Sequence, residues 1–98
     1  MNNLNLDFID TNQLHTLTKI ASKNEAISYS EGKLITGYPA IGFDAKTSWV
    51  VVRRHLEAFM TSSIVKVEFK PDHVVLETLN SIYELRPVDG PRLDDREG

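Results

Sequence analysis

Three short runs of alternating residues, cut by two turn signals, constrain this chain more than anything else in it. Val65, Val67 and Phe69 alternate with Lys66 and Glu68. Val74, Leu76 and Thr78 oppose Val75, Glu77 and Leu79, and Ile82-Tyr83-Glu84-Leu85 closes the series. A period of two sends successive side chains to opposite faces of a strand, so each run predicts a strand with one buried face. Lys70-Pro71-Asp72-His73 reads as a turn in which Pro71 pre-sets φ, and Asn80-Ser81 as a second. The C-terminal part is therefore expected to be an antiparallel meander.

The upstream half carries mixed signals. Leu4, Leu6 and Phe8 alternate with Asn3, Asn5 and Asp7, which suggests a short strand over 3–9. Asp10 and Gln13 then form a capping-box start, with Ile9 and Leu14 at the staple positions. Leu14, Leu17, Ile20 and Ala21 follow at helical spacing, predicting a helix that frays near Lys23-Asn24. Ala26 to Tyr38 reads as a hairpin with Glu31-Gly32 at its tip, where Gly32 supplies a positive φ. Gly37-Tyr-Pro-Ala-Ile-Gly42 is a connection rich in breakers. From Asp44 to Met60 the residues Trp49, Val52, Leu56, Phe59 and Met60 fall within about 100° of a helical wheel. Val50-Val51-Val52 prefers a strand, and 48–54 as strand is the rival. The longer stripe and the lack of a turn signal favour helix, which leaves Val50 and Val51 off the stripe and in need of a second contact.

The expected order is β-α-β-β-α-β-β-β, an α+β fold with two helices packed on one face of an antiparallel sheet. Its first six elements match the order of a split βαβ, ferredoxin-like unit, with a C-terminal hairpin added. Residues 1–86 form the expected domain. In 87–98 the prolines, glycines and charges suggest a polar tail.

Composition removes several classes of function. The chain has 98 residues and no cysteine, which excludes disulfides, thiolate metal sites and a cysteine nucleophile. No apolar run approaches the ~20 residues of a membrane helix. Met1–Asn5 has neither a basic region nor an apolar core, so a cytoplasmic protein is expected. The net charge of −3 is uneven. Residues 1–60 hold six bases and six acids; residues 61–98 hold five bases and eight acids.

No catalytic constellation emerges. Gly37…Gly42 followed by Lys46-Thr47 approaches a phosphate-binding loop, but the lysine is three residues late and Pro39 removes a cradle N–H. His15, His55 and His73 have no second ligand at i+3 or i+4, so no metal is expected. No cofactor is implied. Lys46, Arg53 and Arg54 form a small basic group interrupted by Glu57. The leading expectation is a small non-enzymatic protein that works through protein–protein contact or self-association, with Val50, Val51, Arg53 and Arg54 as the candidate surface. The alternatives are a nucleic-acid-binding regulator using Lys46, Arg53 and Arg54, and a small-ligand binder at the Gly37–Gly42 loop.

Overall fold

The computed structural model describes residues 5–23, 32 and 34–93. These contain seven strands and no α-helix: β1 (His15–Ser22), β2 (Leu34–Phe43), β3 (Ser48–Arg54), β4 (Glu57–Met60), β5 (Ile64–Phe69), β6 (Val74–Thr78) and β7 (Ser81–Pro87). They pair in the order β4-β3-β2-β1-β7-β6-β5, and every pair is antiparallel.

This order forces the sheet to roll. Its two edges, β4 and β5, are consecutive in the chain and are separated only by Thr61–Ser63. Four steps of chain reach at most about 14 Å, whereas seven strands laid flat would put the edges roughly 29 Å apart. Strand direction shows how the roll closes. Alternation along the order makes β4 and β5 run the same way, so they are two halves of one bent strand. The first half pairs with β3 and the second with β6. Strand β2 bends in the same manner, pairing with β1 through Leu34–Gly37 and with β3 through Tyr38–Phe43. Strands that change sheets at corners are the usual way to build two crossed layers around one core.

Each corner has its own chemistry. At the β2 corner a Cβ on Gly37 would collide with the Arg53 carbonyl, so only glycine lets the two strands approach. At the other corner the Thr61 N–H donates to Val50 O at 2.9 Å, and the Val50 N–H donates to Thr61 Oγ1 at 3.1 Å. The hydroxyl replaces the backbone acceptor lost as the strand turns away, satisfying a buried donor. Thr78 is fully buried and organises the β6–β7 turn. Its hydroxyl accepts from the Ser81 N–H at 3.0 Å and from Ser62 Oγ at 2.9 Å.

The core lies inside the roll. Leu17, Val50, Val52, Leu76, Tyr83 and Leu85 point inward, and Leu6 and Ile9 join them from the N-terminal segment. Over 5–9 that segment is not the expected strand over 3–9, of which residues 3 and 4 lie outside the described residues. Residues 5–13 turn, with the Asp7 N–H bonded to Asn5 Oδ1 and the Ile9 N–H to Leu6 O. Asparagine's local hydrogen bonding wins over the alternation.

The α+β expectation is therefore overturned. The two expected helices, 10–23 and 44–60, are mainly strands β1, β3 and β4. The β-branched residues Thr16, Thr18 and Ile20, and the Val50–Val52 run, fit a pleated surface better than a helix. The Gly37–Gly42 connection lies within β2, with Pro39 buried opposite Val52. The order matching a ferredoxin-like unit goes with the helices. The three C-terminal strands stand where alternation places them, and Gly32 has a positive φ of 84°. Most of the expected first hairpin arm, 24–31 and 33, lies outside the described residues. The chain remains hydrogen-bonded beyond residue 86. The Val88 N–H donates to Leu14 O and the Leu93 N–H to Asn12 O. The expected tail is thus laid against residues 12–14 as far as Leu93, and 94–98 lie outside the described residues.

Candidate functional site

Strands β2, β3 and β4 form a small three-stranded layer with two distinct faces. On β3, Ser48, Val50 and Val52 are buried, while Trp49 and Val51 are half-buried and Arg53 is exposed. Register carries this alternation across the layer. Ala40 pairs with Val51, and Val51 with Met60, so one apolar row crosses the outer face and ends on the edge strand. Met60 is 62 % exposed there. The next rows are Gly42–Trp49 and Tyr38–Arg53–Ala58. The Trp49 indole lies where a Cβ of Gly42 would be, so the ring covers the neighbouring backbone.

The candidate surface read from the sequence divides on this layer. Val51 and Arg53 lie on the outer face. Val50 is fully buried in the core, because a strand turns it inward where a helix would have left it outside. Arg54 shares Val50's parity and stands at the rim of the roll, opposite Glu57. Lys46 is in the β2–β3 turn, at the other end of β3 from Arg53 and Arg54. Seven residues of strand put them roughly 23 Å apart. The basic trio is not one patch.

The β2–β3 turn also shows what the glycine–lysine pattern does. The Lys46 and Thr47 N–H groups donate to Asp44 Oδ1 at 2.9 and 2.8 Å, and the Thr47 hydroxyl joins them at 3.0 Å. These bonds hold the Asp44 carboxyl below its ordinary range, the Lys46 N–H first. The turn's own carboxylate takes the donors that a phosphate would need. An open groove of about 1070 Å³ borders Thr36–Ala40 and the Arg53–His55 tip, but Lys46 and Thr47 are not among its walls.

Two further places collect polar groups. A cavity of about 220 Å³ opens at the end of the roll where β1 and β3 finish. Lys19, only 5 % exposed, reaches it from β1, with Tyr83 as its register partner on β7. Burial raises the Tyr83 phenol above the usual tyrosine range, opposed by a hydrogen bond with Ser81, so it remains a proton donor at neutral pH. Near the opposite end, Asp72, His73, Glu84 and Arg86 form an ion cluster. Arg86 reaches Asp72 at 2.7 Å and Glu84 at 3.1 Å, and His73 Nδ1 lies 2.7 Å from Asp72. Sequence reasoning missed Lys19 because it is not part of the helical stripe Leu14, Leu17, Ile20 and Ala21; a period of two through His15, Leu17 and Lys19 would have turned it inward.

Among the described residues no group of three or more His, Asp or Glu side chains is arranged to hold a metal ion. Among the described residues there is no helix long and apolar enough to cross a membrane. No protein family, curated protein or solved structure matches the chain.

Proposed function

We propose that this is a non-enzymatic binding protein that acts through protein–protein contact, and that its first partner is a second copy of itself. The observation that carries the reading is the apolar row Ala40–Val51–Met60, which runs outward across β2 and β3 to the edge strand β4. Among the described strands β4 pairs with β3 alone, and an edge of this kind presents backbone donors and acceptors on its other side. Antiparallel pairing of such an edge with its own copy needs no specialised partner, because the two edges are related by a twofold axis and are self-complementary. It would also join two three-stranded layers and cover the exposed Met60 on each. A cytoplasmic setting belongs to the same proposal, since a chain without cysteine suits a reducing compartment. Nucleic-acid contact ranks second: Arg53, Arg54 and His55 share one hairpin tip, but Lys46 stands apart from them.

Sedimentation velocity from low micromolar to near-millimolar protein tests the proposal. The native chain is expected to pass from monomer to dimer, and Met60→Lys to stay monomeric with an unchanged circular dichroism spectrum. A native chain that remains monomeric throughout overturns the proposal, as does a Met60→Lys variant that dimerises equally well.

A further inference from the structure

We propose that the cavity between the N-terminal segment and the β5–β6 turn is a binding site for a small neutral phenol, an aromatic ring that carries one hydroxyl. The site shares no residue with the Ala40–Val51–Met60 row and does not depend on self-association.

A buried acceptor without a partner is the first argument. His15 is 6 % exposed and has the inward parity of β1, at the opposite end of that strand's buried row from Lys19. Its Nδ1 lies 2.8 Å from Gln13 O. A carbonyl oxygen only accepts, so Nδ1 carries the proton, and in the neutral ring Nε2 is left as a bare acceptor. Among the described residues no donor reaches Nε2. A buried acceptor in that state has lost its water and gained no hydrogen bond in return. His15 borders a cavity of about 310 Å³, so a ligand there can supply the missing donor.

Exposed aromatic rings are the second, independent argument. Phe8 and Phe69 flank the cavity and meet edge to face, with ring centroids 4.9 Å apart. Phe69 is nevertheless 65 % exposed and Phe8 40 %. Ile9, Val74 and Leu85 continue the apolar lining. An apolar guest covers the two rings, and an aromatic one can add a third member to their edge-to-face pair. A dry cavity of about 150 Å³ takes benzene, so the space here holds one ring and its hydroxyl.

Charge leaves the ligand neutral. Lys70 is paired with Glu68 at 3.0 Å, and Asp72 with Arg86 at 2.7 Å and with His73 Nδ1 at 2.7 Å. Asp10, which His15 feels electrostatically, is paired with Arg92 at 2.8 Å. The charged groups around the cavity are thus matched already, and an ion entering it would give up water for no counter-charge. A hydroxyl instead brings one donor to one acceptor. A phenol O–H suits this better than an aliphatic alcohol, because it is the more acidic donor.

Phenol is the probe, with its methyl ether, anisole, as the comparison that cannot donate. Each is titrated into the native chain at a pH where imidazole is neutral and followed by two-dimensional NMR. Phenol is expected to give saturable amide shifts centred on Ile9, His15, Phe69 and Val74, and to bind about fivefold or more tightly than anisole. The ring-nitrogen shifts of His15 are the second readout. They should show the proton on Nδ1 in the free chain, and phenol, but not anisole, should move the Nε2 resonance. His15→Phe keeps a ring of similar size without the acceptor and is expected to abolish the preference for phenol. Phe69→Ala, at the exposed rim, is expected to weaken both probes. Absence of saturable phenol shifts up to tens of millimolar overturns the proposal. So does equal binding of phenol and anisole, or a free chain with its proton on Nε2. Should His15→Phe not fold, the two measurements on the native chain still decide.

Discussion

His55 carries the turn between β3 and β4 at a φ of 52°, the only positive φ among the described residues other than glycine. Left-handed backbone costs a residue with a Cβ about 1–2 kcal/mol, and a β-branched one more. His55→Gly is therefore expected to leave stability unchanged or to raise it by up to about 1 kcal/mol, the relief being partly offset by the greater freedom of the unfolded chain. His55→Val should lower it by about 1–2 kcal/mol. Urea midpoints for the two variants check this, and a valine variant as stable as the native chain would contradict the strain. The same residue explains a failure of sequence reading. Glycine, asparagine and proline advertise turns; His55-Leu56 does not, so the pattern from Asp44 to Met60 looked unbroken. Gly32, by contrast, was legible as a left-handed position because its residue type is the usual one.

At the scale of elements, β5, β6 and β7 were readable because alternation and recognised turn residues agreed over the whole stretch. Strands β1 and β3 satisfied two periods at once. Leu14, Leu17 and Ile20 fit a helical stripe, while His15, Leu17 and Lys19 fit a strand face that begins with a histidine and ends with a lysine. Burial of those two polar side chains hid the period of two. The candidate surface was legible in part for the same reason. Val51 and Arg53 are outside on β3, but Val50 and Arg54 have the opposite parity. The elements are also tied by charge. Asp72, in the turn between β5 and β6, binds His73 and Arg86, and these bonds hold its carboxyl below the ordinary value of 3.8, with His73 the larger cause. A depressed carboxyl stabilises the fold above its unfolded value and stops doing so as the pH falls through its folded value. The native chain is thus expected to be more stable than Asp72→Asn near neutral pH, with the difference shrinking once the pH falls below 3.8. Added salt should reduce it too, because the Asp72 side chain is exposed. Urea midpoints across pH for both proteins give the comparison, with His73, Glu84 and Arg86 unchanged in each.

For the whole molecule, the rolled sheet depends on its two terminal segments for closure. Leu6 and Ile9 enter the core from a stretch that belongs to no strand, and residues 10–14, which follow them, are held by residues 88–93. Gln13 Nε2 donates to Val88 O at 2.6 Å, and the Val88 and Leu93 N–H groups donate to Leu14 O and Asn12 O. Arg92 pairs with Asp10 at 2.8 Å, the Tyr38 hydroxyl donates to Pro91 O, and Gly90 packs so closely on Leu14 that a Cβ would overlap it. Composition alone suggests that this segment is expendable. The contacts imply the reverse for its first half. Ending the chain after Pro87 removes three hydrogen bonds to the 12–14 stretch, the bond from Tyr38 and one ion pair. At about 0.5–1.5 kcal/mol net for each of the four hydrogen bonds, the loss is expected to be about 2–6 kcal/mol. A chain ending after Leu93 keeps all of these contacts and is the reference. Hydrogen exchange separates a local from a global effect. In the shorter chain the Ile9 and Gln13 amides, bonded to Leu6 O and Asp10 O, should exchange far faster than amides of β6 and β7. Equal urea midpoints for the two truncations would show that 88–93 contributes nothing to closure, and that Leu6 and Ile9 stay in the core unaided.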